Sequence, residues 1–259
     1  MAAVRIAFAG LKGGTGRTAT VATLAETLTN GARSVLAVDV DQQNALGTYL
    51  GMDPAEPAGL IDANLGTGSV REVLERHEAV TPYVPFGRAS TEQLWQWTAA
   101  VATGQVSLDE RLSGLTPPRC EIVLIDTPAG RTPVSLNTLK SSDTVLVVLE
   151  ADAASYATIP ATEEFLEEAL GAGYRECSHY LVNRYDSARA LARDVLDAMR
   201  DSLGSRVVPF TVHEDEGLRE NIASAGRQGL ASESQIALDF KRLGDWLVER
   251  ARPRRLSVA

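Results

Sequence analysis

Gly10-Leu11-Lys12-Gly13-Gly14-Thr15-Gly16-Arg17-Thr18 is the stretch on which the reading of this chain turns. A short apolar run, residues 4–9, leads into it, and a helical pattern from Thr18 to Asn30 follows, ending before Gly31. The spacing is G-x4-G-x-[ST] between a strand and a helix, the frame of a phosphate-binding loop with Arg17 at its usual lysine position. Glycines let the backbone curl so that successive N–H groups face one anion. The positive end of the following helix dipole adds to that field. Thr18 stands where a hydroxyl would meet a magnesium ion. Gly10 and the run Lys12, Gly13, Gly14, Thr15, Gly16, Arg17, Thr18 and Ala19 are therefore the candidate phosphate-binding residues.

Outward from the loop, further apolar runs recur at 34–39, 121–126, 144–149, 179–182 and 206–210, with a weaker one at 82–86. Helical patterns lie between several of them, including 188–203 before Gly204 and a long closing helix over 234–251. Strands apolar on both faces, alternating with helices, predict an α/β fold: a mostly parallel central sheet flanked by helices on both faces. Residues 51–115 are less regular and read as an insertion-like region on the same sheet, so 1–259 is expected to form a single nucleotide-binding domain with a basic tail at 252–259. Trp95 and Trp97 within that region read as packing residues. The acidic run from His213 to Glu216 reads as a helix start with Asp215 as its N-cap.

Composition narrows the function classes. Of 259 residues, 44% are hydrophobic, enough for a large core, and 34 acidic against 25 basic side chains leave a net charge of −9. Such a body is repelled by phosphate backbones, which argues against general nucleic-acid binding. The dense basic cluster, Arg250, Arg252, Arg254 and Arg255, reads as a helix end and solvated tail. Cys120 and Cys177 lack CxxC partners, so they read as packing residues of a reducing, cytoplasmic compartment. No apolar run is long enough to span a membrane. His77, His179 and His213 are scattered and suggest no metal site.

Lys12-Gly13-Gly14-Thr15-Gly16-Arg17-Thr18 resembles the K-G-G-x-G-K-T of the ParA/MinD family of ATPases. Val38-Asp39-Val40-Asp41 resembles that family's first switch segment, and Ile122 to Gly130 its Walker B and second switch. Val182-Asn183-Arg184 and Val208-Pro209 resemble the two loops that frame the adenine. The resemblance implies a MinD-like (SIMIBI-class) P-loop NTPase fold, ATP and Mg2+ as cofactors, and a homodimer clamped across two ATP molecules. Lys12 is implied to reach the neighbour's ATP and Asp41 to orient the attacking water, making these two the catalytic candidates. Thr18, Asp39 and Asp126 are implied magnesium ligands, partly through water. Asn183, Arg184 and Pro209 complete the nucleotide-binding set; the Asn183 amide can both donate to and accept from a purine edge.

Within the family the order of softer segments resembles its cellulose-biosynthesis branch: residues 83–92, Glu150-Ala151-Asp152-Ala153, residues 180–186 and Val212 to Glu216. That resemblance implies a regulatory or assembly factor of the bacterial cellulose synthase. Its implied partners are BcsR-like and BcsE-like accessory proteins and the inner-membrane synthase complex, reached from the cytoplasm at the membrane surface or cell pole. Arginine is planar and wider than an ammonium group, so Arg17 for lysine is not a conservative exchange. Slow or absent hydrolysis is expected, because phosphoryl transfer depends on positioning. A DNA-partitioning or cargo-positioning switch is the alternative. An iron-protein-like electron-transfer ATPase would need paired cysteines, and a MinD-like membrane helix would need more bulky apolar residues than Leu256 and Val258 at the end of the chain.

Overall fold

The computed structural model describes residues 3–51, 59–61, 81–217 and 234–251. Six strands form one sheet in the order β3-β2-β4-β1-β5-β6: β1 (Val4–Ala9), β2 (Val35–Asp39), β3 (Tyr83–Val84), β4 (Ile122–Asp126), β5 (Thr144–Glu150) and β6 (Ser178–Asn183). Every pairing is parallel. The predicted sheet is therefore present, and β3, from the insertion-like region, belongs to it.

Alternation along the strands divides the core. Ile6, Phe8, Ala37, Leu124 and Val148 face one way and pack under α1 (Arg17–Asn30) and the closing helix, labelled α10 (Gln235–Arg250). Ala7, Ala9, Val145, Val147 and Val182 face the other way. There they meet α5 (Pro133–Lys140), α7 (Ile159–Leu170) and α9 (Ala190–Leu203). At the far end of that same face, Val38, Val123 and Ile125 pack under α3 (Thr91–Ala102) and α4 (Leu108–Leu115). Four one-turn pieces complete the described elements: α2 (Leu46–Tyr49), α6 (Ala153–Ala157), α8 (Tyr174–Cys177) and a 3-10 turn, Gly204–Arg206.

Local chemistry explains the ends of the helices. Ser90 and Gln93 make a capping box at the start of α3, and the Ser234 hydroxyl accepts from Ala237 N–H at the start of α10. α9 ends at Gly204, whose φ of 59° with ψ of −134° is a backbone conformation open to glycine and disfavoured for other residues.

Two expectations are corrected. Residues 206–210 do not form a seventh strand; Val207 makes an isolated bridge to Tyr180. Val208 N–H donates to Tyr180 O, but the next donor into β6 is Val212 N–H to Val182 O, four residues on along this segment against two along β6, so the regular parallel ladder is broken. Trp95 is 73% exposed, whereas Trp97 is buried edge-on against Phe86 at 6.2 Å. Residues two apart on a helix point to nearly opposite sides, so only one of the pair reaches the core. Cys120 is buried and Cys177 packs at the edge of the core, as free thiols. The expected tail at 252–259 and much of the insertion-like region lie outside the described residues, and of the 213–216 run only its last residue is helical before the description stops at 217.

Candidate nucleotide site

The carboxyl edge of the sheet gathers the chemistry. The register sets Phe8, at the end of β1, beside Asp126 of β4, Asp126 beside Asp39 of β2, and Glu150 of β5 beside Asn183 of β6. Ligands of open α/β sheets bind at this edge.

The loop from Gly10 to Gly16 rises from β1 and turns into α1. Gly16 is the N-cap at φ 81°, with no side-chain cap bond to the helix. The first turn of a helix leaves its N–H groups without intrahelical partners, so an uncapped α1 presents them to an anion. Gly14 is likewise left-handed, and a Cβ added there or at Gly13 would meet open space. Thr15 is 1% exposed, yet its hydroxyl has no partner. An orphaned buried donor is costly unless a ligand satisfies it. These features fit a polyphosphate.

The loop is braced from β6. Asn183 Nδ2 donates to Thr15 O at 2.8 Å, and Arg184 NH1 donates to Gly14 O at 2.8 Å. A Cβ on Gly16 would lie 2.5 Å from the Asn183 amide nitrogen. Asn183, read from sequence as a purine reader, thus has its amide donor directed at the loop. The segment carrying Pro209 lies along β6, through Val208 N–H to Tyr180 O and Val212 N–H to Val182 O. A cavity of about 480 Å3 opens beside it, lined by Tyr185, Asp186, Arg189, His213 and Glu214 among others, with no phosphate-loop residue in its wall. It neighbours the candidate phosphate site and is separate from it.

Beneath the loop lies a compact cluster of charge. Thr18 Oγ1 donates to Asp126 Oδ2 at 2.6 Å. Arg17 turns inward at 8% exposure: its Nε lies 3.4 Å from Asp126 Oδ1, its NH1 3.3 Å from Gly10 O, and its NH2 3.8 Å from Asp41 Oδ2. Asp39 is fully buried and accepts from the N–H groups of Asp41 and Leu46, which shapes the loop after β2. Asp41 in turn accepts from Gln43 N–H. Burial raises the Asp126 carboxyl against the pull of Arg17 and Thr18, with Asp41 adding to the rise, and the net value is about 6. Burial, then the neighbouring Asp126, holds Asp39 well above the usual carboxylate range.

Thr18 and Asp126 fit a magnesium ion chemically, since that ion prefers one or two oxygen side chains and retained water. Asp39 would act behind them, with its oxygens already engaged by the backbone. Among the described residues no three His, Cys, Asp or Glu side chains form a cluster that could hold a metal ion.

Lys12 lies at the rim. Its Nζ is 2.9 Å from Glu150 Oε2, 2.6 Å from Asp152 Oδ2 and 3.4 Å from Ser155 Oγ. Partial burial pulls the ammonium pKa down, but hydrogen bonds to Asp152 and Glu150 outweigh it and the net shift is upward. Glu150 also meets Arg184 NH1 at 3.3 Å, so one carboxylate joins the early and late ends of the loop's bracing. Sequence reasoning gave Glu150 and Asp152 no chemical role, although Glu150 ends a buried strand at the ligand edge just as Asp126 does.

This edge and sheet define a P-loop NTPase fold of the MinD type. The fold matches the cell-division ATPase MinD of Pyrococcus furiosus with a TM-score of 0.74 at 22% identity, covering 96% of this chain and 100% of that one. It also matches cobyrinic acid a,c-diamide synthase from Mycobacterium smegmatis, solved with a bound ATP analog and magnesium, with a TM-score of 0.77 at 23% identity and coverage of 97% and 99%. The family model described as cellulose biosynthesis protein BcsQ matches residues 3–248, and the chain belongs to that family. The cellulose biosynthesis protein BcsQ of Salmonella typhi is 26% identical over 243 residues, 92% of this chain and 91% of the relative. Among the described residues no helix is long and apolar enough to cross a membrane.

Proposed function

We propose that the chain is one nucleotide-binding unit that takes ATP in the cradle of Gly10 and Lys12–Ala19 and pairs with a second copy across it. The observation that carries the reading is the uncapped start of α1, opening from a left-handed Gly16 over the Thr18–Asp126 pair. Anion and helix end are complementary there. Magnesium, when bound, would add charge neutralisation beside Thr18 and Asp126. Lys12 sits at the rim with its side chain about a quarter exposed, where an approaching copy could reach it. In the dimer its ammonium would exchange Glu150 and Asp152 for the neighbour's phosphates.

Hydrolysis is slow or absent in this reading. Phosphoryl transfer depends on placing one cation against the phosphates and one acceptor against the attacking water. Here Arg17 is directed at carboxylates and Asp41 accepts a backbone N–H, so neither stands ready for that task. A long-lived ATP-clamped dimer is a scaffold rather than a rapid enzyme, because each bound nucleotide favours the paired state by mass action. Membership of the BcsQ family supports a role as regulatory or assembly factor of the bacterial cellulose synthase. Its partners would be BcsR-like and BcsE-like accessory proteins and the inner-membrane complex, met from the cytoplasm at the membrane surface or cell pole.

Gly16→Ala tests the cradle. The new Cβ would collide with Asn183 in a backbone conformation that disfavours it, so labelled-ATP affinity falls about tenfold or more while the far-ultraviolet circular dichroism is retained. Unchanged affinity in this variant would refute the assignment of the loop.

A further inference from the structure

Arg184 directly follows β6 and is one of three non-glycine residues with positive φ among the described residues, at 51°. That backbone conformation is disfavoured for an ordinary side chain, and strain of this kind gathers at functional sites. From it the side chain lies over the phosphate loop. Its NH1 donates to Gly14 O at 2.8 Å, and its Nε and Cζ lie 3.3 and 3.5 Å from where a Cβ on Gly16 would stand. Glu150 holds the same NH1 from the other side at 3.3 Å. The neighbouring Asn183 donates to Thr15 O at 2.8 Å. These two contacts fall on successive peptide groups of the loop. In a planar trans peptide, the carbonyl of one residue and the N–H of the next point in opposite directions. Arg184 on Gly14 O therefore fixes the direction of Thr15 N–H, and Asn183 on Thr15 O fixes that of Gly16 N–H. Both N–H groups are turned away from the braces. The loop needs such help, since Gly13, Gly14 and Gly16 have no side chains to anchor it and glycine backbone is the costliest to order.

We propose that Asn183 and Arg184 form a template that sets the phosphate loop in its anion-binding shape before nucleotide arrives, with Arg184 as the strained positioning residue. This rests on the nucleotide reading above and deepens it. Arg184 acts on the triphosphate through the loop, by raising the fraction of chains ready to bind, and not by touching base or phosphate. Apparent affinity scales with that fraction. Without Arg184 the ready fraction falls and association slows. Once the loop has closed round the phosphates, the complex dissociates as before.

The test is stopped-flow mixing of fluorescently labelled ATP with the full chain in magnesium buffer, for wild type, Arg184→Met and Arg184→Gly. Each is run at low salt and at about 0.5 M salt, where exposed charges are screened beyond a few ångströms. In both variants and at both salts the association rate constant falls about tenfold, while the dissociation rate constant stays within about twofold. Faster dissociation with unchanged association overturns the proposal, because Arg184 would then be a direct contact. A deficit that vanishes at high salt overturns it too, because the arginine would only steer the anion. Rates equal to wild type in both variants leave Arg184 without a role. All three results leave the nucleotide reading standing, whereas a wild type that binds no ATP removes that reading and this inference together. Circular dichroism checks folding. Glycine adopts positive φ freely, so Arg184→Gly decides if the methionine variant does not fold.

Discussion

Replacing Arg17 by Met should destabilise the fold by an amount that depends steeply on pH, with a ceiling set by Asp126. The methionine keeps bulk but removes the cation beside a carboxylate that is fully buried. Breaking a buried pair by deleting one partner commonly costs about 3–5 kcal/mol. Here there is a cheaper escape, because Asp126 titrates at about 6 with Arg17 present. Near pH 8 its protonated form lies about two pH units uphill, or roughly 3 kcal/mol at 1.36 kcal/mol per unit. The variant can always fold with Asp126 protonated, so the loss through this contact cannot much exceed that. Near pH 6 the same route is almost free and the loss falls below about 1 kcal/mol.

The sign follows from the folded-state value being above the ordinary 3.8. The folded chain binds this proton more tightly than the unfolded chain, so the site favours folding increasingly as pH drops from above 6 toward 4. Without Arg17 the folded value rises further, and the gain begins at higher pH. Urea unfolding with linear extrapolation at the two pH values measures the difference. Adding Asp126→Asn to Arg17→Met should remove the pH dependence, which completes a double-mutant cycle. An equal loss at both pH values, or a larger one at the lower, would refute the reasoning.

Other consequences are simpler. Lys12→Ala should weaken ATP-dependent dimerisation more than monomer nucleotide binding, because its own contacts lie at the rim on Glu150 and Asp152; equal losses, measured by sedimentation and titration, would contradict a role across the interface. Arg206 makes a two-bonded pair with Glu163 at 2.6 and 2.8 Å and lies over the rings of Tyr174 and Tyr180. Arg206→Met should therefore cost about 2–3 kcal/mol in urea unfolding, and a loss below about 0.5 would contradict that anchor.

The fold was legible where the code is local. Strands buried on both faces show as continuous Val, Ile and Leu runs, and five of the six described strands fall on such runs within a residue or two at either end. The phosphate loop was legible because its glycines are demanded by backbone geometry: Gly14 and Gly16 both adopt positive φ. What could not be read depends on distant partners. Asn183 and Thr15 are 168 residues apart, and nothing between them announces that the amide braces the loop. The inward turn of Arg17 is set by Asp126 at the end of β4 and Asp41 in the loop after β2, both outside its own element. The 206–210 run reads as a strand because hydrophobicity dominates the pattern, while the step from Val208 to Val212 as successive donors to β6 puts the segment out of the regular ladder. Trp95 and Trp97 share a composition signal, and only helix phase separates the exposed ring from the buried one.

The central claim is that ATP joins two copies of this chain and is then held. Multi-angle light scattering with and without ATP, with phosphate release followed in the same samples, tests it most directly. The account predicts a doubling of molar mass on adding ATP, with phosphate release near the uncatalysed background. A mass unchanged by ATP, or dimers that form and vanish with rapid phosphate release, would contradict it.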